Sequence, residues 1–249
     1  MKKPKILLYD VENTPNTGYT WGTFQQNVIK VIKPWELLCF SYKWLGDKTV
    51  RCVRRKPGEK TDRSVVTALR DLMSEADIVV AHNAIMSDNK KATTRFTAHR
   101  LTPPAPFKTI DTLQVARRYH NFPGNSLREL AEFFGLKGKA PNSGFPTWEG
   151  CMADEPWAWR EMTTYNKQDT ALLEEIYLLL RPSIENHPNV AIRGYLSCTT
   201  CGSFRLQSRG TADTTTGTFG RVQCQDCGGW SRYATGLKHV PKQLMRRCK

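Results

Sequence analysis

The sequence lacks any long apolar run. No stretch approaches the twenty or so consecutive apolar residues that a membrane-spanning helix needs, so we expect no membrane partner. The N-terminal segment "MKKPKILLYD" is basic, but its apolar run of four residues ends at Asp10, so we expect no signal peptide. Internal repeats are also missing, which excludes an architecture of stacked repeats.

Acidic residues are scarce relative to basic ones. The chain of 249 residues has 37 Lys and Arg against 23 Asp and Glu, a net charge of +14. Its composition, 39% hydrophobic and 24% charged, suits one globular domain of ordinary size plus an appendage. A positive excess of this kind is expected of a protein that binds nucleic acid, although some proteins are basic for solubility reasons. On charge, we favour nucleic acid as the partner.

Four of the eight cysteines form two closely spaced pairs. These pairs are Cys198-x-x-Cys201 and Cys224-x-x-Cys227, with 22 residues between them, and glycine directly follows each pair. Since we predict no export signal, we expect a reducing, cytoplasmic location and a zinc site rather than disulfides. Four thiolates complete a tetrahedron, which makes the predicted site structural. A redox-active or coincidental arrangement is the alternative.

The hydrophobic pattern predicts an α/β fold. Strands are predicted over residues 5–11, 36–44, 49–55 and 77–83, and helices over 62–76, 88–100, 126–136 and a helical pair within 154–182, while 109–119 runs from a strand into a helix. Asp62 is a candidate helix cap, and Ser126 with Glu129 forms a capping box. Residues 137–150 are rich in glycine and proline and are predicted to be a loop. This order predicts a mixed sheet with helices on both faces.

The same pattern divides the chain into parts. Residues 1–185 contain the α/β pattern, 186–196 form a linker, and 197–249 form the small zinc module. The segment 195–249 has nine Lys and Arg against two Asp and Glu, with aromatic residues among them. Aromatics beside cations suit a stacking surface for single strands, so we predict a nucleic-acid-binding module. The alternative is that these aromatic residues fill the core of the zinc module.

Two carboxylates end the first strand, in "LLYDVENT". Side chains two residues apart in a strand project to the same side, so Asp10 and Glu12 project together. A divalent cation would turn the repulsion between them into coordination. The alternative is a solvated strand end, which is the commoner meaning of a lone D-x-E.

Further acidic residues follow later elements. Asp88 comes just past the buried strand, where it either caps a helix or joins the first pair. Tyr165 and Asp169 are four residues apart on a predicted helix and therefore share one face. Asp169 lies beside an apolar stripe of leucine and isoleucine, so its side chain is expected to point inward. An inward carboxylate requires a partner, and a metal bound by Asp10 would supply one.

The order of these motifs resembles that of the DEDD exonucleases of the ribonuclease H-like fold, in the subclass whose last motif carries tyrosine. The segments "YDVENTP", "DIVVAHNAIMSDNKKATTRF", "KTIDTLQVARR" and "YNKQDTALLEEIYLLLRP" resemble predicted phage and bacterial 3′–5′ exonucleases. They are more distantly similar to the proofreading domains of family-B DNA polymerases. The resemblance covers about residues 4–185, and the zinc ribbon resembles the tail of several such phage proteins.

The resemblance implies a ribonuclease H-like mixed sheet and a metal-dependent 3′–5′ exonuclease acting on single-stranded nucleic acid, with DNA favoured. It implies that two Mg²⁺ or Mn²⁺ ions are held by Asp10, Glu12, Asp88 and Asp169. Tyr165 would orient the attacking water, and Asn83 would lie near the terminal nucleotide. Two other functions remain open, namely a nucleic-acid-binding protein that has lost turnover and a structure-specific endonuclease.

The chain departs from the family pattern beside Asp88. Ser87 stands where an aromatic residue is usual, and Asn89 stands where an apolar residue is usual. Both positions bear on how the start of the helix at Asp88 packs.

Overall fold

The chain folds into an α/β unit followed by a small β module, and the computed structural model describes residues 4–138, 143–192, 195–234 and 246–247. The strands are β1 (Ile6–Asn13), β2 (Thr17–Tyr19), β3 (Lys30–Lys33), β4 (Leu37–Trp44), β5 (Arg51–Arg54), β6 (Ile78–Ala81), β7 (Lys108–Asp111), β8 (Leu206–Thr214), β9 (Gly217–Cys224), β10 (Trp230–Ala234) and β11 (Arg246–Arg247). The helices are α1 (Arg63–Glu75), α2 (Asp88–Ala98), α3 (Thr112–Tyr119), α4 (Leu127–Phe133), α5 (Phe145–Met152) and α6 (Pro156–Leu180).

The main sheet has five strands in the order β5-β4-β1-β6-β7. β1 pairs antiparallel with β4 and parallel with β6, and β6 pairs parallel with β7. The sheet is therefore mixed, as predicted. All four residues of β6 are buried, as expected of a strand covered on both faces.

The two faces of the sheet pack against different helices. Leu7, Tyr9 and Val11 of β1 belong to the core cluster formed with α1 and α2. Ile6 and Leu8 belong to the cluster formed with α3, α4 and α6. Because side chains alternate along a strand, Asp10 and Glu12 lie on the same face of β1 as Ile6 and Leu8. The predicted arrangement of helices on both faces is confirmed.

Two predicted helix starts have different outcomes. At α4, Ser126 Oγ accepts a hydrogen bond from Glu129 N (3.3 Å) and Glu129 accepts one from Ser126 N (2.9 Å), so the capping box is confirmed. Asp62 stands at the cap position of α1, but its side chain makes no capping bond. It accepts instead from Leu37 N (2.8 Å) and from Arg95 Nε (2.7 Å), because a buried carboxylate is better satisfied by an arginine than by one helix N–H.

The loop predicted over 137–150 is wrong in its second half, where α5 begins at Phe145. Gly144 has a φ of 73° and Pro146 lies in the first turn, so the two residue types that suggested a loop in fact start a helix. The helical pair predicted within 154–182 is likewise one long helix, α6. Residues 139–142 of the predicted loop lie outside the described residues.

The cysteine module forms its own sheet in the order β11-β10-β9-β8. The segment that precedes it is partly buried, since Ile184 and Val190 pack into the core cluster of α6, and Tyr177 OH and His187 Nε2 share a hydrogen bond of 2.9 Å. The division into two domains with a linker stays a prediction. Residues 193–194, 235–245 and 248–249 of the predicted linker and module lie outside the described residues.

Among the described residues, no helix has the length and apolar character that crossing a membrane requires.

Candidate active site

β1 presents Asp10 and Glu12 on the same face as Ile6 and Leu8, the face that α6 covers. Both carboxylates are half-buried, whereas Val11 between them is buried on the opposite face. The sequence prediction that the two side chains project together therefore agrees with the strand geometry. What they face is the middle of α6.

Asn166 of α6 connects that helix directly to the first carboxylate. Its Nδ2 donates to Asp10 Oδ2 at 2.6 Å, across 156 residues of sequence, and Asn166 itself is fully buried. The same helix is held on β4, because Ser41 Oγ donates to Asn166 O at 2.6 Å and lies 2.5 Å from Thr170 Oγ1. The Asp10 carboxylate is thereby fixed in one orientation. Asn166 is not among the site residues predicted from the sequence, although its position one residue after Tyr165 places it at the same level of the helix.

α6 also carries Tyr165 and Asp169. Asp169 is 4% exposed, so the expectation that it points inward agrees with its burial. Tyr165 is half-buried, and its ring meets Trp148 of α5 edge-to-face with 6.2 Å between the centroids. This contact restricts the ring of Tyr165, and it depends on the helix that the sequence pattern did not predict.

Asp88 enters from the other face of the sheet, at the first residue of α2. Its Oδ1 accepts a hydrogen bond of 3.4 Å from Val11 N, the backbone group between Asp10 and Glu12. Burial raises the pKa of Asp88 from 3.8 to about 6, Lys91 opposes this rise, and the nearby Asp111 carboxylate adds to it. In the protein without a cation, the charged form of this side chain is thus disfavoured.

Asp111, at the end of β7, organises the loop that leads to Asp88. Its Oδ1 accepts from Asn83 N and its Oδ2 from Ile85 N, each at 3.0 Å, and it also caps α3 through Leu113 N at 3.1 Å. These bonds hold Asn83 in the left-handed region, with φ of 66°. Asn83 therefore lies in the loop before Asp88 and not on a regular element. Sequence reasoning missed Asp111, although its place between a strand and a helix marks a cap.

Asn89 has a partner that explains its departure from the family pattern. Tyr9 OH donates to Asn89 Oδ1 at 2.5 Å, and Asn89 Nδ2 donates to Thr109 Oγ1 at 3.0 Å. A polar residue is therefore satisfied where an apolar one is usual, because the neighbouring strands supply hydroxyl groups. Ser87 stands at the cap position of α2 without a side-chain capping bond.

A family model for the RNase H superfamily matches residues 36–181, more than half of the chain. The chain belongs to the RNase H superfamily. Its fold resembles that of the family B DNA polymerase from the hyperthermophilic archaeon Pyrobaculum calidifontis, with a TM-score of 0.54 and 16% sequence identity. The match covers 73% of this chain and 26% of the polymerase, so the chain spans about a quarter of the polymerase's length. No curated protein matches the sequence.

Membership of the RNase H superfamily supports a nuclease function in general, and nucleases of this superfamily use divalent metals. The oxygen ligands of Asp10, Glu12, Asp88 and Asp169 suit such hard cations. A cation would also favour the charged form of Asp88, which burial disfavours. The residues present therefore fit divalent metal ions in their chemistry.

The spacing of the carboxylates is wider than that of a single-ion site. Three or more Asp, Glu, His or Cys residues whose ligand atoms all lie within 4.8 Å of one another could hold a single metal ion. Within the described ranges, the group that meets this condition consists of cysteines, not carboxylates. Two ions about 3.5–4 Å apart need ligands spread over a longer distance than one ion does. Asp10 and Glu12 lie on β1 and Asp88 contacts the backbone of that strand, but the candidate carboxylates do not form that tight a cluster.

The four cysteines of this RNase H superfamily member form the tight cluster: Cys198, Cys201, Cys224 and Cys227. The sulfur atoms of Cys198 and Cys227 are 3.6 Å apart, as are those of Cys201 and Cys224. A tetrahedral site with metal–sulfur bonds of about 2.3 Å requires about 3.8 Å between sulfurs, whereas a disulfide requires about 2.05 Å. The cluster therefore fits a tetrahedral metal ion and not a pair of disulfides.

Proposed function

We propose that this protein is a two-metal-dependent 3′–5′ exonuclease that hydrolyses the terminal phosphodiester bond of single-stranded nucleic acid, with DNA favoured. The observation that supports it best is the convergence on one strand end: Asp10 and Glu12 face α6, which bears Asp169, and Asp88 contacts the backbone of Val11. Carboxylates from three distant elements at one site are costly to a fold unless they bind a cation.

In this proposal, Asp10, Glu12, Asp88 and Asp169 hold two Mg²⁺ or Mn²⁺ ions. When bound, these ions activate the attacking water and stabilise the charge on the attacking and leaving oxygens. The protein's own groups position the participants. Asn166 fixes the Asp10 carboxylate, and the Tyr165 hydroxyl accepts a hydrogen bond from the attacking water. Asn83, in the loop before Asp88, contacts the terminal nucleotide.

The cysteine cluster takes a separate part in the proposed function. It holds one structural Zn²⁺, since four thiolates leave no position for water or substrate. Backbone N–H groups of Thr200 and Asp226 donate to the sulfurs of Cys198 and Cys224 at 3.3 and 3.4 Å, which orients those thiolates toward a common centre. The ribbon built around this ion adds a nucleic-acid-binding surface to the nuclease.

The test uses matched DNA and RNA strands labelled at the 5′ or the 3′ end, incubated with Mg²⁺, with Mn²⁺ or with EDTA. We expect metal-dependent release of mononucleotides from the 3′ end and no cleavage of a circular single strand. Asp10→Asn is expected to abolish release, and Asp71→Asn, which changes an exposed aspartate on α1, serves as the matched control.

Two results would contradict the proposal. Cleavage of the circular strand would indicate an endonuclease. Strand binding without metal-dependent release by the unaltered protein would indicate a binding protein on a nuclease fold.

A further inference from the structure

Residues 17–33, here called the aromatic arm, project from the molecule with their large side chains in water. The arm contains the antiparallel pair β2 and β3, and every residue of both strands is exposed. Trp21 is 90% exposed, Phe24 77% and Tyr19 62%. A cluster of exposed aromatic residues on this scale indicates a binding surface, because burying them in the core would otherwise stabilise the fold.

The charge of this region indicates which partner it takes. Residues 13–35 contain no Asp or Glu, and the arm carries Lys30 and Lys33, of which Lys33 also pairs with Glu36 at the base of the arm (3.2 Å). Aromatic rings interspersed with cations and free of acids match the bases and phosphates of a single strand, since rings stack on bases and lysines attract phosphates. A purely apolar partner, such as a second copy of the arm, would bring four lysines together without compensating acids from either arm.

The base of the arm is fixed to the sheet. Thr14 N donates to Glu36 O at 2.8 Å, Glu36 N donates to Thr14 Oγ1 at 2.9 Å, and Trp35 N donates to Asn16 Oδ1 at 2.9 Å. The Glu36 side chain is buried and pairs with Arg55 at 3.3 Å. The arm is therefore anchored at both of its ends.

The anchor also places the arm beside the candidate active site. The arm begins five residues after Glu12, at the end of β1 that carries the carboxylates. A hairpin of this length reaches at most about 25 Å from its base, at about 3.3 Å per residue along each strand. That distance spans several nucleotides of an extended strand whose 3′ end lies at the carboxylates.

We propose that the aromatic arm binds the single-stranded part of the substrate, with bases stacked on Trp21 and Phe24 and phosphates near Lys30 and Lys33. The inference rests on the proposed function for the identity of the bound strand and for the place of its 3′ end. It adds a site that the catalytic residues do not require, so the arm affects affinity for the strand rather than the chemical step.

The experiment measures binding of a fluorescein-labelled 20-nucleotide oligothymidylate to the full-length protein in buffer without Mg²⁺ or Mn²⁺, where no cleavage is expected; EDTA is left out because it would also remove the proposed zinc. We expect the double variant Trp21→Ala, Phe24→Ala to bind at least ~10-fold more weakly, because stacking on each ring contributes to affinity. We expect its salt dependence to be unchanged, since no cation is lost. The double variant Lys30→Gln, Lys33→Gln is expected to lower the salt slope by up to about 1.4, at about 0.7 per phosphate contact, and by less where Lys33 keeps its ion pair with Glu36.

Phe133→Ala is the matched control, because Phe133 lies on α4 and is 57% exposed. It is expected to leave binding unchanged, and circular dichroism is expected to show intact folds in all variants. Unchanged affinity in the Trp21, Phe24 double variant would overturn the inference. Sedimentation that shows a dimer dissociating in this variant, with strand affinity unchanged, would assign the arm to self-association instead.

The binding assay without Mg²⁺ or Mn²⁺ does not depend on turnover, so the two proposals can fail separately. Loss of strand binding in the arm variant of a protein that shows no nuclease activity would support the arm and contradict the proposed function. Normal strand binding in the arm variant of an active nuclease would support the proposed function and overturn the inference about the arm.

Discussion

The cysteine cluster and the carboxylate site are both assembled from potential metal ligands, but they are built in different ways. The cysteines come from two short loops next to β8 and β9, and their sulfurs already lie at distances that suit one ion. The candidate carboxylates come from β1, α2 and α6, and these elements are brought together by the packing of both faces of the main sheet. The first site is a local property of a small module, and the second is a property of the whole core.

This difference predicts where substitutions act. At the cysteine cluster, metal binding and local folding are one process, because a ribbon of this size has too little core of its own. At the carboxylate site, we expect the fold to form without a metal, and burial disfavours the charged form of Asp88. Removing a ligand is therefore expected to damage the ribbon's structure but to spare or even stabilise the nuclease core.

The largest effect is expected on turnover at the carboxylate site. Asp10→Asn or Asp169→Asn is expected to lower turnover by at least ~100-fold, because placement of the metal ions carries most of the catalysis. The melting temperature is expected to stay the same or to rise. Steady-state cleavage rates and thermal melts in parallel test this, with Asp71→Asn as the control. Turnover within a few-fold of the unaltered protein would remove these residues from the active site.

The second effect concerns stability. The pKa of Asp88 is raised by burial to about 6, so the folded protein holds this proton more tightly than the unfolded chain and stability falls as the pH rises from about 4 to about 6. In EDTA at pH 8, Asp88→Asn is expected to raise the free energy of unfolding by up to about 3 kcal/mol, at about 1.4 kcal/mol per pKa unit. Below pH 4 the gain is expected to disappear.

Urea unfolding at several pH values measures this difference. Added Mg²⁺ is expected to stabilise the unaltered protein and to have less effect on Asp88→Asn, since a cation favours the charged carboxylate. A variant that is less stable than the unaltered protein at pH 8 in EDTA would contradict the expected cost of burying the charged Asp88 carboxylate.

A smaller effect is expected at Tyr165. Tyr165→Phe is expected to lower turnover by about 10-fold, below the range of about 10²–10⁴ for groups that transfer a proton themselves, because this hydroxyl only orients the water. The ring contact with Trp148 is kept, so the affinity for metal is expected to be unchanged. Turnover measured over a range of Mg²⁺ concentrations separates these two quantities. A loss equal to that of Asp10→Asn would show that the hydroxyl does more than orient water.

The smallest effect on turnover is expected at the cysteines. Cys198→Ser is expected to release the zinc and unfold the ribbon, while cleavage of a saturating short strand changes by less than about 3-fold, because the proposed catalytic groups lie elsewhere. Binding of longer strands is expected to weaken and to become less dependent on salt. Zinc content by atomic absorption, together with cleavage rates, tests this. A large loss of turnover would show that the core depends on the ribbon. Val190 connects the two, because its side chain packs into the core and its N–H donates to Thr199 O of the ribbon at 2.8 Å.

Local patterns predicted much of the fold. The alternation in β1, the capping box of α4 and the amphipathic α1 all depend on residues close in sequence, and each agrees with the structure. The errors arose where one residue type serves two purposes. Gly144 and Pro146 start α5 instead of ending a loop, and Asp62 binds Arg95 instead of capping α1.

The acidic residues of the candidate site were predicted from the sequence, but the residues that position them were not. Asn166 and Asp111 lie inside the segments that resemble exonuclease motifs, but their roles were not predicted, because these depend on which distant backbone or carboxylate they meet. The aromatic arm was missed for a related reason. Its apolar residues resemble those of a buried strand, and only the position of the hairpin outside the core leaves them exposed.

The sequence by itself determined which side chains are potential metal ligands, the grouping of four cysteines into two closely spaced pairs, and the projection of Asp10 and Glu12 to the same side of β1. These properties follow from residue type and from spacing along the chain. Tertiary structure alone decided that Asp88 contacts Val11 and that Asn166 holds Asp10. The partners in these two contacts are separated by 77 and by 156 positions along the chain. Contacts over such separations are set by how helices pack on a sheet, and that packing is a property of all the core side chains together.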